Sequence, residues 1–169
     1  MNFEAIIAIL ARAGVEFVVI GGVAMLVHGV ARVTQDLHIC YARSAENIKR
    51  LAETLAPYHP SLRGAPEGLP FCFDEETIGH GLNFTLVTDL GDLDLLGEVA
   101  GIGSYPAVHV FSQEVEQPAG VKWRLLTVEG LIRTKRAAGR KKDLDVIPDL
   151  EAVQDMRSGN EDSRRSGKL

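Results

Sequence analysis

The sequence predicts an α/β fold of the mixed α+β kind, in which helices flank a small mixed sheet. Three observations predict it. The β-branched run at 16–20 leads through Gly21-Gly22 into an apolar segment of helical character. Residues 36–40 alternate between polar and apolar side chains, as a half-buried strand does. Residues 83–87 and 92–96 form two strand patterns joined by a short turn, which indicates a hairpin.

Helices are predicted where apolar residues recur at helical spacing behind a capping residue. Asn2 precedes the first helix, Ser44 the third and Thr127 the fourth. Gly14 and Gly139 follow the first and fourth helices, where a left-handed residue ends a helix well. The predicted helices cover residues 3–13, 23–28, 45–56, 128–138 and 143–156, the last with a break at Pro148.

Two further segments are predicted with less regular patterns. A second strand pair is expected at Val115 and 121–125, around the turn 117–120. Prolines are spread along the stretch 58–80, so we expect it to be mostly loop, with a short strand near 69–73.

Length and composition bound the class of protein. With 169 residues, 46% hydrophobic and 24% charged, the sequence matches one soluble globular domain. Residues 1–156 are expected to form it, followed by a disordered tail at 157–169. The longest apolar stretch, 17–31, is interrupted by glycines and is too short for a transmembrane helix, which needs roughly 18 apolar residues. No basic region precedes the N-terminal apolar run, so we expect a cytoplasmic protein without a membrane partner.

Charge is distributed unevenly along the chain. The formal net charge of -5 argues against a protein that coats nucleic acid. Residues 133–142 are nevertheless strongly basic, whereas residues 89–94 are acidic. Each run is by default a solvated face, and together they indicate a basic patch opposite an acidic cluster. Cys40 and Cys72 lack metal-ligand spacing and are predicted to be buried thiols.

Acidic side chains fall on two of the predicted strands. Asp92 and Asp94 are two apart and share a face, as do Asp36 and His38. If the strands are neighbours, three carboxylates and an imidazole converge, and such a cluster is stable mainly when it holds a cation. Oxygen ligands suit Mg²⁺, which assists phosphoryl and nucleotidyl transfer. The plain alternative is that Asp92 and Asp94 are solvated residues beside a hairpin turn.

Three segments resemble a known family. The pattern Gly21-Gly22-Val-Ala-x(3)-His28-Gly29-x(2)-Arg32-x-Thr34-x-Asp36-Leu37-His38 is similar to the glycine and Asp-x-Asp motifs of the DNA polymerase β-like nucleotidyltransferase superfamily. Residues 91–98 resemble the strand with that family's third carboxylate, and residues 131–143 resemble its later basic segment. The sequence most resembles small bacterial members related to abortive-infection (AbiEii-type) toxins of toxin–antitoxin systems. The resemblance covers about residues 5–155 and implies the nucleotidyltransferase fold.

The resemblance also implies roles for matching residues. Asp36 would be the first metal ligand and Asp94 the third carboxylate, with Asp92 as the alternative, so all three are candidate catalytic residues. His38 would be the remaining metal ligand. Asp143 is expected to form a salt bridge that orients the basic helix. The residues expected to bind the nucleotide are Gly21, Gly22, Arg32, Thr34, Lys135 and Arg140. For the glycine pair, a tight turn without a ligand is the plain alternative.

His38 departs from the family pattern, which has a second carboxylate at that position. An imidazole offers one softer lone pair where Mg²⁺ prefers an anionic oxygen. Three interpretations stay open: a catalytically weakened relative, a site that uses Mn²⁺ or Zn²⁺, or an introduced substitution.

The resemblance implies a metal-dependent nucleotidyltransferase that uses Mg²⁺ or Mn²⁺ and a nucleoside triphosphate. The acceptor would be a tRNA, another RNA or a protein, and an antitoxin protein is a possible partner. The alternative hypothesis is a catalytically degenerate nucleotide-binding or toxin–antitoxin interaction module. An enzyme that modifies aminoglycosides is a third hypothesis, disfavoured because the short chain shows no second domain for an acceptor.

Overall fold

The computed structural model describes residues 2–66, 68, 70–117 and 120–166, and the elements below belong to these residues. The helices are α1 Phe3–Arg12, α2 Gly21–Val27, α3 Ala45–Leu55, α4 Glu75–His80, α5 Tyr105–Val110, α6 Val128–Ala138, α7 Lys141–Leu144 and α8 Ile147–Ser166. The strands are β1 Phe17–Ile20, β2 Asp36–Tyr41, β3 Ser61–Leu62, β4 Asn83–Thr88, β5 Gly91–Leu96, β6 Glu98–Val99, β7 Gly103–Ser104, β8 Ser112–Glu116 and β9 Lys122–Leu126.

Seven of these strands form one mixed sheet in the order β3-β4-β5-β2-β1-β9-β8. β2 pairs with β5 in parallel, as β1 does with β9, while the remaining neighbours are antiparallel. β6 and β7 form a separate two-stranded sheet. The predicted α/β fold with a mixed sheet and flanking helices is therefore confirmed. No helix among the described residues is long and apolar enough to cross a membrane.

The core forms around the central strands because their apolar side chains alternate with polar ones. On β2 and β5, Leu37, Ile39, Leu93 and Leu95 are fully buried. Their polar neighbours in sequence point to the opposite face and remain partly exposed, namely Asp36, His38, Asp92 and Asp94. All four residues of β1 are buried, as expected for a strand covered on both faces.

Local capping sets the bounds of most helices. The side chain of Asn2 accepts a hydrogen bond from the Ala5 N–H, and Ser44 and Thr127 cap α3 and α6 in the same way. Gly14 has a φ of 72° and Gly139 a φ of 63°, both left-handed as predicted. The helix at 3–13, the helix at 45–56 and the helix at 128–138 are thus confirmed to within one residue.

The region 58–80 differs from its prediction. Residues 70–73 are not in a strand, and Leu69 lies outside the described residues. The region instead contributes the edge strand β3 and the helix α4. Asp74 begins α4, because its carboxylate accepts a hydrogen bond from the Thr77 N–H at 2.8 Å. The sequence Asp-Glu-Glu-Thr was an N-terminal helix signal that the prediction missed.

Other differences lie in the last third of the chain. α5, β6 and β7 were not predicted. The last helix is interrupted ahead of Pro148, which lies in the first turn of α8, where proline costs no hydrogen bond. α8 continues through Ser166, so residues 157–166 are helical, and residues 167–169 lie outside the described part. The middle of the predicted turn 117–120 also lies outside it. Cys72 is exposed, so its predicted burial is wrong, while Cys40 is buried.

Candidate active site

The polar residues of β2 and β5 lie directly beside one another. In the parallel register, Asp36 is opposite Asp92 and His38 is opposite Asp94. Because residues two apart on a strand point to the same side, all four side chains project from one face of the sheet. His38 Nε2 lies 3.1 Å from Asp36 Oδ2 and 3.3 Å from Asp94 Oδ2. The predicted convergence of three carboxylates and an imidazole is what the fold produces.

His38, Asp36 and Asp94 have the geometry of a cation site. The imidazole Nε2 is buried and lies within hydrogen-bonding distance of one oxygen of each carboxylate. One ligand atom from each residue lies within 4.8 Å of the others. Ligand bonds of about 2.1 Å at right angles place neighbouring ligands roughly 3 Å apart. The residues present therefore fit one divalent cation, and a set of one nitrogen and two oxygens suits Mn²⁺ or Zn²⁺ better than Mg²⁺.

Arg63 is the residue of this cluster that sequence reasoning missed. Its guanidinium donates from Nη1 to Asp92 Oδ2 at 2.9 Å and from Nη2 to Asp94 Oδ1 at 2.7 Å. Nη2 also lies 3.5 Å from Asp36 Oδ2. The arginine follows β3, inside the stretch predicted as loop. One signal was available, since Arg63 is the single lysine or arginine between residues 58 and 80.

The carboxylates of Asp36 and Asp94 differ in proton affinity. Burial raises the pKa of Asp36, but the hydrogen bond and charge of His38, together with Arg63 and Thr34, outweigh burial and hold this pKa below its usual value. Burial also raises the pKa of Asp94. Here His38 and Arg63 oppose the rise only in part, because the charges of Asp36 and Asp92 add to it, and the pKa stays above its usual value. Asp94 is therefore the better proton acceptor of the two.

The glycine pair lies where a side chain would collide with the site. Gly21 has a φ of 66°, a left-handed conformation that favours glycine, and a Cβ there would lie 3.2 Å from His38 Nδ1. A Cβ on Gly22 would lie 2.4 Å from Thr34 Oγ1, which is too close for any side chain. Thr34 Oγ1 in turn donates to the backbone oxygen of Asp36 at 3.0 Å. The glycines thus bring the start of α2 against the strand that carries Asp36 and His38.

A cleft of about 320 Å³ opens beside this face, a volume in the range of small-molecule sites. All six predicted nucleotide-binding residues line it, and so does His38, which lies beside the carboxylates of Asp36 and Asp94. Lys142, which was not predicted, also lines it. The other lining residues are Met25, Val33, Asp143 and Val146.

Asp143 holds two of the cations at this cleft. Its carboxylate is nearly inaccessible and accepts from Lys135 Nζ at 2.8 Å and from Arg140 Nε at 2.5 Å. The predicted salt bridge from Asp143 to the basic segment is therefore observed. Burial raises the pKa of Asp143, but the hydrogen bonds of Arg140 and Lys135 outweigh it and hold the pKa below its usual value.

The remaining motif residues have structural partners. Arg32 pairs with Asp149 of α8 at 3.2 Å, so part of its guanidinium is engaged away from the carboxylate cluster. His28 Nε2 lies 2.8 Å from the backbone oxygen of Leu126, which makes it a buried structural histidine. Within the basic run, Arg133 and Arg136 pair with Glu129 and Glu151. The basic face toward the cleft is therefore narrower than the sequence run suggests.

The chain is similar to a crystal structure from Thermotoga maritima described as a "putative nucleotidyltransferase". The TM-score is 0.50 at 16% sequence identity, covering 92% of this chain and 90% of that chain. No family model and no curated protein matches the chain. The predicted nucleotidyltransferase fold is confirmed.

Proposed function

We propose that this protein is a metal-dependent nucleotidyltransferase that moves a nucleotidyl group from a nucleoside triphosphate to a hydroxyl of an RNA or protein acceptor. The observation that carries the proposal is the convergence of Asp36, His38 and Asp94 beside a cleft lined by glycines and cations. Carboxylates that hold a cation next to a cationic phosphate site are what nucleotidyl transfer requires.

In this proposal, residues at different positions in the site bind the phosphates and the cation. Gly21 and Gly22 allow phosphate oxygens to approach the backbone closely, while Lys135 and Arg140 neutralise their charge. A divalent cation held by Asp36, His38 and Asp94 would stabilise the negative charge that develops on the phosphates. The donor set favours Mn²⁺, with Mg²⁺ as the weaker alternative.

The chemical step is an exchange of one phosphorus–oxygen bond for another. The acceptor hydroxyl oxygen bonds to the α-phosphorus, the bond to the bridging oxygen of the β-phosphate breaks, and pyrophosphate leaves. The hydroxyl proton passes to a carboxylate. Asp94 is the proposed proton acceptor, and Asp92, on the same face of β5, is the alternative. Arg63 donates a hydrogen bond to each of them, at 2.9 Å to Asp92 and at 2.7 Å to Asp94.

The finer assignments follow from the family resemblance. An RNA acceptor, such as the end of a tRNA, fits the cationic cleft wall better than a protein acceptor does. A role as the toxin of a toxin–antitoxin pair, with an antitoxin as partner, and a cytoplasmic location belong to the same proposal. An antitoxin-type reading frame beside this gene is the genomic observation that would support them.

The test is transfer of an α-labelled triphosphate to total RNA or to protein, with each of the four nucleotides and with Mn²⁺ or Mg²⁺. Asp36→Ala should reduce transfer by at least about 100-fold, as expected for loss of a carboxylate that acts in the reaction. The matched control is Asp155→Ala on the exposed side of α8, which should transfer at the wild-type rate. Equal transfer by the wild type and Asp36→Ala would refute the assignment.

A second candidate function is a nucleotide-binding module without turnover. Two observations favour it: His38 stands in place of the family's second carboxylate, and Arg63 engages the remaining carboxylates. This candidate predicts nucleotide binding in titration calorimetry but no labelled product. His38→Asp separates the two functions, because a restored carboxylate should raise transfer with Mg²⁺ if the other ligands are competent. No gain in an intact fold would favour the module.

A further inference from the structure

Arg63 is a fixed positive charge among the carboxylates of the proposed metal site. It is positioned by the sheet itself, because its backbone N–H donates to the Thr85 oxygen at 2.9 Å. In the register of the sheet, Thr85 is opposite Asp94, and Asp94 is opposite His38. Arg63, Thr85, Asp94 and His38 therefore lie in one row across four strands or strand ends. Threonine is small enough for the arginine to reach over it to the carboxylates.

The guanidinium and the imidazole use different atoms of the same carboxylates. Arg63 takes Asp92 Oδ2 and Asp94 Oδ1 with two different nitrogens. The atoms that face His38 Nε2 are Asp36 Oδ2 and Asp94 Oδ2. The two oxygens that face His38 Nε2 accept no hydrogen bond from Arg63, although Nη2 lies 3.5 Å from Asp36 Oδ2. Asp36, His38 and Asp94 are the three-ligand group found among the described residues. A second cation that bridged Asp92 Oδ2 and Asp94 Oδ1 would compete with the guanidinium for these two oxygens.

The charge balance of the site also favours a single divalent cation. Asp36, Asp92 and Asp94 supply three negative charges when ionised, which one divalent cation and one guanidinium balance. A second divalent cation would sit against a guanidinium that cannot lose its proton, and the two would repel each other. The replacement of the family's second carboxylate by His38 removes the negative charge that would have offset that repulsion.

We propose that Arg63 takes the place of one of the two divalent cations of a two-metal nucleotidyltransferase, so that this protein binds a single ion. The inference rests on the proposed function, since it assumes that the three-ligand group holds a metal. Arg63 would also keep Asp94 turned toward His38. The proposal therefore makes Arg63 a positioning residue whose effect is visible in metal binding, independently of transfer activity.

The test counts bound Mn²⁺ by equilibrium dialysis and by electron paramagnetic resonance on the full chain, without nucleotide. Wild type should bind one ion with the spectrum of an isolated Mn²⁺. Arg63→Gln should bind two ions that show exchange coupling, because Asp92 Oδ2 and Asp94 Oδ1 no longer bind a guanidinium. Arg63→Met serves as a second charge-free variant, and added Mn²⁺ should raise the melting temperature of both by more than that of wild type.

Two controls isolate the charge at this position. Arg63→Lys retains the positive charge and should bind one ion. Arg50→Gln removes an arginine whose partner, Glu46, lies on α3, and it should also bind one ion. Asp36→Ala should abolish the wild-type ion, which shows that the counted ion is at this site.

The outcomes separate this proposal from the proposed function. One ion in both wild type and Arg63→Gln would overturn the proposal, as would two in wild type. No ion in wild type and one in Arg63→Gln would overturn it too, because Arg63 would then exclude metal altogether. If wild type, Arg63→Gln and Arg63→Met all bind no Mn²⁺, the proposed metal-dependent function is refuted. This proposal, which rests on that function, is then refuted as well.

Discussion

Asp143 offers the sharpest stability test, because a buried carboxylate there holds two cations. Asp143→Asn keeps the shape of the side chain but removes the charge that Lys135 and Arg140 share. Removing one partner of a buried ion pair typically costs about 3 to 5 kcal/mol. Here Lys135 is 17% exposed and Arg140 is 63% exposed, so both cations can regain water. We therefore expect a smaller loss, about 2 to 3 kcal/mol in the free energy of unfolding.

The assay is urea denaturation at pH 7, followed by circular dichroism and by the fluorescence of Trp123. A loss of this size should lower the melting temperature by roughly 4 to 12 °C in a domain of this length. The matched control is Asp149→Asn, whose partner is Arg32. Both members of that pair are exposed, so the variant should lose no more than about 1 kcal/mol. A loss for Asp143→Asn no larger than that of the control would refute the reasoning.

The pH dependence of the same variant has a definite sign. The pKa of Asp143 is lower in the folded protein than in the unfolded chain. Its stabilising contribution is therefore complete above the unfolded pKa, near 4, and is lost as the pH falls through the folded pKa. The difference in stability between wild type and Asp143→Asn should be constant from pH 7 down to about 5 and shrink below about 4. A difference that shrinks between pH 5 and 7 would contradict this assignment.

Two further predictions concern the cleft. Gly22→Ala should destabilise the protein by about 1 to 3 kcal/mol in urea denaturation, because its Cβ would meet Thr34 Oγ1 at 2.4 Å. Combining it with Thr34→Gly should recover stability relative to the sum of the single changes, and strict additivity would disprove the clash. Lys135→Met should weaken triphosphate binding by about tenfold in titration calorimetry, since it removes a charge-assisted phosphate contact of roughly 1.5 kcal/mol. Lys122→Met on β9 is the control, and an equal loss there would assign the effect to net charge alone.

Local chemistry explains why much of the fold could be predicted. Helix ends depend on a few neighbouring residues, so Asn2, Ser44 and Thr127 could be recognised as caps from sequence. On β2 and β5 polar and apolar side chains alternate because one face of each strand is buried and the other is partly exposed. This alternation distinguished the candidate site residues from the core residues in the sequence. Helix α4 was not predicted, although its cap at Asp74 is also a local signal, because the prolines before it favoured the prediction of a loop.

Segments without a strong pattern of their own were missed. β3 is two residues long and exists because it adds to the edge of β4. β6 and β7 are likewise two residues long and pair with one another, and the short helix α5 packs against β1, β2 and β9. Arg63 was missed for the same reason. A single arginine in an irregular stretch does not indicate the strand order that places it beside Asp92 and Asp94.

The sequence by itself determined which residues share a face of a strand, where the glycines stand and that a carboxylate cluster was available. Those properties follow from backbone periodicity and residue chemistry, which act over a few positions. Only the tertiary structure decided that β2 and β5 are parallel neighbours and that Arg63 reaches across Thr85 to their carboxylates. Pairings between distant segments depend on the free energy of the whole packed chain, and no local pattern encodes them.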